Sequence, residues 1–357
     1  MTDEIKKLIK DLSEIYDSDS EDTFISLYAN KNTYKKFIDH RIKACRYILK
    51  GDILKNFDKT IEEIENKIRN ISSGSIVIFA SHKYDFIRYI SLSMKLQNLL
   101  TVDSSPYIRP LARIQDEWES FTLLLISSNF AKIFSVSTGK VEDIKKLSTD
   151  IINKHKKGGW SQARFNRLRR GAIKAFLSEV AEALQKLSDD SIIVAGPGTI
   201  KNQFLDILSK KIRDKIVDVI DISIEDEQKL LKESFKLIAE KEKIESNKAV
   251  QLLKQEILKD GLATYGIVET LQAVKNGQVD LLIIEKDYKI RGWICESCQM
   301  VEQGVKKSCP YCNNKTSEVD IIEEIIEFAE RTNANIEFTE GDEIANLGHV
   351  GAILRFK

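Results

Sequence analysis

The chain of 357 residues is long for a single core, and its 42% hydrophobic and 31% charged residues are typical of a soluble globular protein with two or three domains. Lys and Arg together number 55, as do Asp and Glu, so the chain has no formal net charge and any affinity for nucleic acid must come from a local patch. The sequence has no run of about 18 apolar residues and no signal-peptide pattern, which argues against a membrane-spanning or secreted protein and predicts a cytoplasmic location.

The first predicted domain covers residues 1–118 and combines helices with strands. It opens with a helix, continues with a strand over 23–28 and a charged helix over 56–69, and reaches a buried strand over 74–81. Cys45 is interpreted as a small buried apolar residue, because it stands alone in helical sequence.

The second predicted domain covers residues 119–256 and is also an α/β unit. A strand over 121–126 turns back near Asn129, and a long amphipathic helix follows, with apolar residues four apart at Ala172, Phe176, Val180 and Leu184. A strand over 191–196 then ends at the turn Gly196-Pro197-Gly198. Such a turn can hold a phosphate, but glycine turns are common for geometric reasons alone, and we favour a structural role.

A highly charged segment leads into the third domain. Residues 225–260 contain neither proline nor glycine, which predicts one or two long solvated helices that join the domains. The third predicted domain covers residues 257–357. It has a strand over 279–285, a helix over 320–331 and a final strand over 351–356, the pattern of a three-layer α/β domain.

Four of the five cysteines lie in the third domain with the spacing C-x2-C-x10-C-x2-C, at Cys295, Cys298, Cys309 and Cys312. Each C-x2-C pair forms a tight turn that directs two sulfurs to one point, and two such pairs complete a tetrahedral thiolate shell. We therefore predict a structural Zn²⁺ ion rather than a redox pair, because four sulfur ligands leave no coordination position for a reactive water. Thiolate ligands also favour a reducing compartment.

A loop in the second domain combines small, uncharged residues that could contact a reacting group with basic residues that could bind phosphate. Gly158 and Gly159 allow the backbone to approach a ligand closely, because neither has a Cβ atom. Gln162 supplies a neutral amide three residues later. Basic and aromatic residues surround these three, namely His155, Lys156, Lys157, Trp160, Arg164, Arg167, Arg169 and Arg170.

This loop resembles that of the archaeal and eukaryotic class I peptide-chain release factors. The resemblance covers Lys154–Gly159 and Gln162–Arg169 in the second domain, and Thr264–Gly266, Val279–Glu285 and Gly351–Arg355 in the third. It implies an α/β fold of three α/β domains, with a release-factor-like middle domain and an L30-like C-terminal domain that carries a zinc knuckle, as some archaeal members do.

The sequence departs from that family at two places. The family's glutamine directly follows the two glycines, whereas Trp160 and Ser161 intervene here. A displaced glutamine also occurs in the bacterial and archaeal release-factor-like families and in the Vms-type peptidyl-tRNA hydrolases. The resemblance therefore places the chain close to these families. The N-terminal domain lacks the stop-codon motifs, since Asn70–Ser73 has no lysine and precedes a strand, and Tyr107–Leu111 does not match the Tyr-x-Cys-x3-Phe pattern.

The resemblance implies codon-independent hydrolysis of peptidyl-tRNA on the large ribosomal subunit, with peptidyl-tRNA and ribosomal RNA as partners and no membrane. Gly158, Gly159 and Gln162 would be catalytic, and the basic residues with Trp160 would bind RNA. Trp160 could equally pack against its own domain, and the arginines could pair with acidic side chains nearby. A translational GTPase is left open as a partner. Two alternative functions also stay open: a stop-codon-dependent termination factor, and a non-hydrolytic ribosome rescue factor resembling Pelota.

Overall fold

The computed structural model describes residues 2–69, 74–117, 120–137, 140–150, 160–187, 191–223 and 227–357. The chain divides into two compact units. One, the terminal unit, contains Met1–Glu117 and Glu245–Lys357; the other, the middle unit, contains Trp118–Ile244. The N-terminal and C-terminal segments therefore pack together, a pairing that the sequence did not indicate.

The N-terminal segment is built on an antiparallel sheet with the strand order β3-β2-β1-β4. Isoleucines from two helices pack on one face of this sheet, because the apolar residues of these helices recur every three or four positions. The elements in chain order are α1 Thr2–Ser13, β1 Phe24–Asn30, α2 Tyr34–Ile48, α3 Gly51–Arg69, β2 Ser75–Ser81, β3 Phe86–Leu92, β4 Leu99–Asp103 and α4 Arg109–Glu117.

The middle unit has a mixed sheet with the order β7-β6-β5-β8-β9, in which β5, β8 and β9 run parallel. Its elements are β5 Phe121–Ile126, β6 Phe130–Ser137, β7 Lys140–Ser148, α5 Trp160–Leu187, β8 Ser191–Gly196, α6 Ile200–Ile207, α7 Lys210–Arg213, β9 Ile216–Asp221 and the first half of α8 Glu227–Leu258. Side chains alternate along β5, so Leu124 packs with α5 and α6, whereas Leu123 and Leu125 pack with residues of α8.

The C-terminal segment has a four-stranded sheet, order β10-β16-β11-β15, in which β11 and β15 are parallel. A separate three-stranded sheet, order β13-β12-β14, carries the cysteines. The elements are β10 Ala263–Tyr265, α9 Ile267–Lys275, β11 Val279–Glu285, β12 Arg291–Cys295, β13 Met300–Gln303, β14 Ser317–Asp320, α10 Ile321–Arg331, β15 Asn335–Thr339, α11 Asp342–Ala345 and β16 Val350–Leu354.

The predicted elements are largely confirmed, with three corrections. Ala172 is exposed, because α5 contacts the core of the middle unit only from Ile173 onward. The charged segment is one helix, α8, and it is not simply solvated, since Leu230 and Leu253 are fully buried. The last strand ends at Leu354 rather than at residue 356. Across the described ranges, no helix combines the length and apolar composition needed to cross a membrane.

Within the terminal unit, α10 fixes the start of α4. Glu323 Oε1 accepts hydrogen bonds from the backbone N–H groups of Ile108 and Arg109, at 2.8 and 3.1 Å. A carboxyl group in this position satisfies two donors that a helix N-terminus otherwise leaves open. Arg109 is almost fully buried, pairs with Asp320 at 3.0 Å and donates to the backbone carbonyl oxygens of Lys286 and Tyr288.

Burial gives this contact a pH dependence. Burial raises the pKa of Glu323 from its ordinary value of 4.5 to about 8, although the charge of Arg109 and the two N–H donors oppose the rise. The folded protein therefore holds a proton that the unfolded chain releases, and the stability that this proton contributes is lost as the pH rises from about 4.5 to 8.

The free energy of unfolding of the wild type should be lower at pH 8.5 than at pH 5. We expect Glu323→Gln to make this difference smaller by at least about 1 kcal/mol, since one pKa unit corresponds to about 1.4 kcal/mol. Urea unfolding at pH 5 and pH 8.5 measures it. Glu62→Gln, at an exposed site on α3, is the control and should leave the wild-type decline unchanged. An equally steep decline in the Glu323 variant would contradict the assignment.

Candidate functional site

The predicted reactive loop falls mostly outside the described residues. His155, Lys156, Lys157, Gly158 and Gly159 all lie outside them. Trp160 is the first residue of α5, so the backbone of Gln162 lies in the first turn of that helix; the side chains of residues 160–162 are outside the description. The catalytic assignment of the two glycines and Gln162 therefore stays a prediction, and the helix that follows them is what the structure describes.

The N-terminal half of α5 is exposed along its length. From Ala163 to Ala175 every residue is exposed except Arg169 and Ile173, which are half-buried, and the buried residues begin at Phe176. The thirteen residues from Ala163 to Ala175 span about 20 Å at 1.5 Å per residue. The helix is held at its other half, where Phe176, Val180 and Leu184 pack on the sheet.

This exposed half of the helix, which we call the α5 stem (residues 160–175), carries only positive charge. Its charged residues are Arg164, Arg167, Arg169, Arg170 and Lys174, and no acidic residue occurs from residue 151 to residue 178. Among the described residues, no carboxylate forms an ion pair with any of the four arginines. Cations in the first turns of a helix oppose its dipole, so an external polyanion would stabilise this arrangement.

The glycine turn after β8 is occupied by the protein's own lysine. Lys201 is buried, and its Nζ donates to the carbonyl oxygens of Gly196 and Gly198, each at 3.0 Å, and lies 3.1 Å from Asp221 Oδ1. A Cβ on Gly196 would lie 1.9 Å from the backbone oxygen of Ile126, so close packing requires glycine there. These contacts support the structural interpretation of the turn. Lys201 was not among the predicted site residues, although it stands three residues after the glycine turn.

We expect Lys201→Met to lower the free energy of unfolding of the middle unit by about 1–3 kcal/mol, because the buried carbonyl oxygen of Gly196 loses its donor. Chemical denaturation followed by circular dichroism measures the change. Lys210→Met removes an exposed lysine from the neighbouring helix α7 and should change stability by less than about 0.5 kcal/mol. Equal effects of the two substitutions would show that the lysine does not hold the turn.

The structure brings the four predicted cysteines together. Their sulfurs lie within 4.8 Å of one another, and three pairs are separated by 3.4–3.6 Å. Disulfide sulfurs lie about 2.05 Å apart, so these are free thiols. Tetrahedral ligands at a Zn–S distance of about 2.3 Å are about 3.8 Å apart. The sulfur positions therefore fit a single tetrahedral ion.

The two cysteine pairs are built alike. The residue after each pair, Gln299 or Asn313, has a positive φ, 55° and 61° respectively. Each also donates its N–H to the carbonyl oxygen of the first cysteine of its pair, Cys295 at 2.7 Å and Cys309 at 2.9 Å. The buried cluster beside them contains Trp293, Cys295 and Cys309, with Met300 and Cys312 partly buried against it. A core this small favours stabilisation by a bound metal.

The structure describes only one of the two segments that come nearest to the stop-codon motifs in sequence. Asn70–Ser73 lies outside the described residues, between α3 and β2. The segment that begins at Tyr107 lies inside the terminal unit, where Tyr107 donates its N–H to Ser26 Oγ and the following residues contact α10.

Comparisons with known proteins are consistent with this architecture. Residues 106–239 match the family described as "Bacterial archaeo-eukaryotic release factor family 10", and residues 243–357 match "eRF1 domain 3". The chain is 30% identical over 296 residues to "Peptide chain release factor subunit 1" of Methanocaldococcus jannaschii, covering 71% of this chain and 70% of the relative. It is also 30% identical over 285 residues to the protein of that name from Archaeoglobus fulgidus, with 71% and 70% covered. The crystal structure of Archaeoglobus fulgidus Pelota is 18% identical over 80% of each chain, with a TM-score of 0.37.

Proposed function

Because this chain belongs to the family of peptide chain release factor subunit 1, within the archaeal and eukaryotic release factor superfamily, we propose that it releases nascent peptides by hydrolysing peptidyl-tRNA on the large ribosomal subunit. The α5 stem is the observation that carries the proposal. A helix that stays exposed for about 20 Å and carries arginines without acidic neighbours in sequence is suited to enter a channel lined by RNA phosphates.

The chemistry of the proposed site is that of ester hydrolysis. A water molecule attacks the carbonyl carbon of the peptidyl ester, the bond from that carbon to the ribose 3′ oxygen breaks, and the ribose oxygen receives a proton. Gly158 and Gly159 would let the backbone approach the ribose and place an N–H donor near the developing oxyanion. The amide of Gln162 would orient the attacking water.

The basic residues would hold the loop against RNA. Lys156 and Lys157 precede the glycines, with His155 as a phosphate contact or loop anchor, and Arg164, Arg167, Arg169 and Arg170 follow on the α5 stem. Trp160 would stack on a base. The displaced glutamine supports a relationship to the Vms-type peptidyl-tRNA hydrolases.

The proposed Zn²⁺ ion has a structural role. Cys295, Cys298, Cys309 and Cys312 would hold it, and four thiolate ligands leave no position for substrate. An L30-like form of the C-terminal domain, with the cysteine sheet as an insertion after β11, is part of the same proposal.

We propose that release is independent of a stop codon, because the chain lacks the lysine of the decoding loop at Asn70–Ser73 and a match to the second motif. Stop-codon-dependent termination is a second candidate, favoured by the name that the curated relatives share. A non-hydrolytic factor resembling Pelota is disfavoured by Gly158, Gly159 and Gln162, since Pelota-type proteins lack that loop.

A release assay separates these functions. Labelled peptidyl-tRNA is bound to purified large subunits without messenger RNA, and to complete ribosomes with a sense codon or a stop codon in the decoding site. We expect release in all three cases. Release only with a stop codon would replace the proposal with termination, and binding without release in any case would leave a non-hydrolytic rescue factor.

A further inference from the structure

A second basic surface lies on helix α2, far along the sequence from the reactive loop. Residues 31–50 contain seven Lys or Arg and one acidic residue, Asp39, in a chain whose total charge is zero. Five residues of this segment, Lys36, His40, Lys43, Tyr47 and Lys50, follow one another at spacings of three and four, and all five are exposed. We call them the α2 stripe.

The fold orients this stripe toward solvent. Ile38, Ile42 and Cys45 on α2 are buried against the N-terminal sheet, together with residues of α3. Because a helix has 3.6 residues per turn, burial of that row leaves the four stripe residues from Lys36 to Tyr47 on the other side of α2. Lys50 follows shortly after the helix ends at Ile48 and is also exposed. From Lys36 to Tyr47 the stripe spans about 16 Å at 1.5 Å per residue.

The lysines of the stripe differ from the arginines beside them. Arg46 pairs with Asp58 at 2.7 Å, and Arg41 donates to the carbonyl oxygen of Leu100 at 3.0 Å, so both are engaged within the domain. In the part of the chain that the structure describes, Lys36, Lys43 and Lys50 form no ion pair with a carboxylate. Their charge is therefore available to an external anion.

The other residues of α2 indicate which kind of anion the α2 stripe would bind. A helix that binds a lipid membrane inserts its apolar face, but the apolar row of α2 is already buried in the domain core. Tyr47 is 88% exposed at the end of the stripe and offers an aromatic face among cations. Regularly spaced lysines with an exposed aromatic ring suit a nucleic-acid backbone and a neighbouring base.

We propose that the α2 stripe binds the phosphate backbone of structured RNA. The choice of RNA as the polyanion rests on the proposed function, which places the protein on the ribosome. The site itself is distinct from the α5 stem, since it lies in the terminal unit, and it would anchor the N-terminal domain independently of codon sequence.

Binding of a short labelled RNA duplex, followed by fluorescence anisotropy between about 50 and 200 mM salt, tests the proposal. The full-length protein carries Arg164→Gln, Arg167→Gln and Arg170→Gln, so that the α5 stem contributes little. In that background, Lys36→Gln, Lys43→Gln and Lys50→Gln should reduce the slope of log affinity against log salt by about 2–3 and weaken binding about tenfold at 100 mM salt.

Two further variants control for folding and for net charge. Lys36→Arg, Lys43→Arg and Lys50→Arg keep the charge and should retain binding. Lys229→Gln, Lys232→Gln and Lys236→Gln remove the same charge from exposed positions of α8, where Glu227, Glu233 and Glu240 flank the lysines in sequence, and should leave the slope unchanged.

If the α2 glutamine variant and the α8 glutamine variant had equal slopes of log affinity against log salt, the proposal would be overturned. Loss of binding to phosphatidylserine vesicles in the α2 glutamine variant with unaltered RNA binding would also overturn it, since the surface would then be a membrane contact. The assay contains no peptidyl-tRNA, so a failure of peptide release leaves this result unaffected, and the converse holds as well.

Discussion

Gly159→Ala is expected to reduce peptide release from purified large subunits by about a hundredfold or more, because a methyl group at the point of closest approach displaces the water and the ester by a fraction of an ångström or more. Ribosome binding should persist, since the basic residues of the loop and the α5 stem are unchanged. Single-turnover release of labelled peptide and co-sedimentation with the subunit measure the two quantities separately.

Gly171→Ala is the matched control. Gly171 lies within α5, and a Cβ built on it has no atom within 4 Å. Alanine is a better helix former than glycine, so this variant should keep full release and gain about 0.5–1 kcal/mol of stability. If Gly159→Ala released peptide as fast as Gly171→Ala, the Gly-Gly-Trp-Ser-Gln loop would not be the reactive tip and the enzymatic proposal would fail.

Removal of the proposed metal should have the largest effect on the structure. A chelator, or Cys309→Ser, is expected to unfold the two cysteine turns and to loosen the three-stranded sheet of β12, β13 and β14, since the buried cluster around the cysteines contains little besides Trp293. Metal analysis should find one Zn²⁺ per chain in the wild type. Hydrogen exchange of the backbone N–H groups of residues 291–303 should accelerate by several orders of magnitude after chelation.

The effect should extend to contacts between the cysteine sheet and the N-terminal segment. Ser20 Oγ donates to the carbonyl oxygen of Lys315, and Ser104 Oγ donates to Glu296 at 2.7 Å. Residues 17–22 and 103–106 should therefore also exchange faster. Cys45→Ala, which removes the cysteine outside the cluster, should keep the metal and the protection. Full protection after chelation would show that the sheet folds without metal.

Much of the local structure was predictable because it depends on neighbours in sequence. The strands at Phe121–Ile126 and Ser191–Gly196 are short apolar runs next to turn residues, and α10 begins at an aspartate that caps it. The cysteine spacing predicted the cluster, because two C-x2-C turns have few conformations that do not bring their sulfurs together.

The apolar periodicity of a helix mispredicted the burial of side chains where distant parts of the chain determine what the helix packs against. Ala172 belongs to an apolar row on α5, but it is exposed, whereas the adjacent Ile173 packs against the core of the middle unit. The glutamates of α10 would face water on an isolated helix. Instead Glu323, Glu324 and Glu327 are buried, because the N-terminal segment covers that side of the helix.

The sequence by itself determined the strands and helices with clear apolar patterns and the cysteine cluster, since these depend on residue type and short spacing. The glycine loop with its basic surroundings stays a prediction. Only the tertiary structure decided that the two ends of the chain share one unit, that Lys201 fills the glycine turn and that the α2 stripe faces solvent. The physical reason is distance along the chain. Ser104 and Glu296 are 192 residues apart, and no local pattern encodes which distant surface a segment will bury.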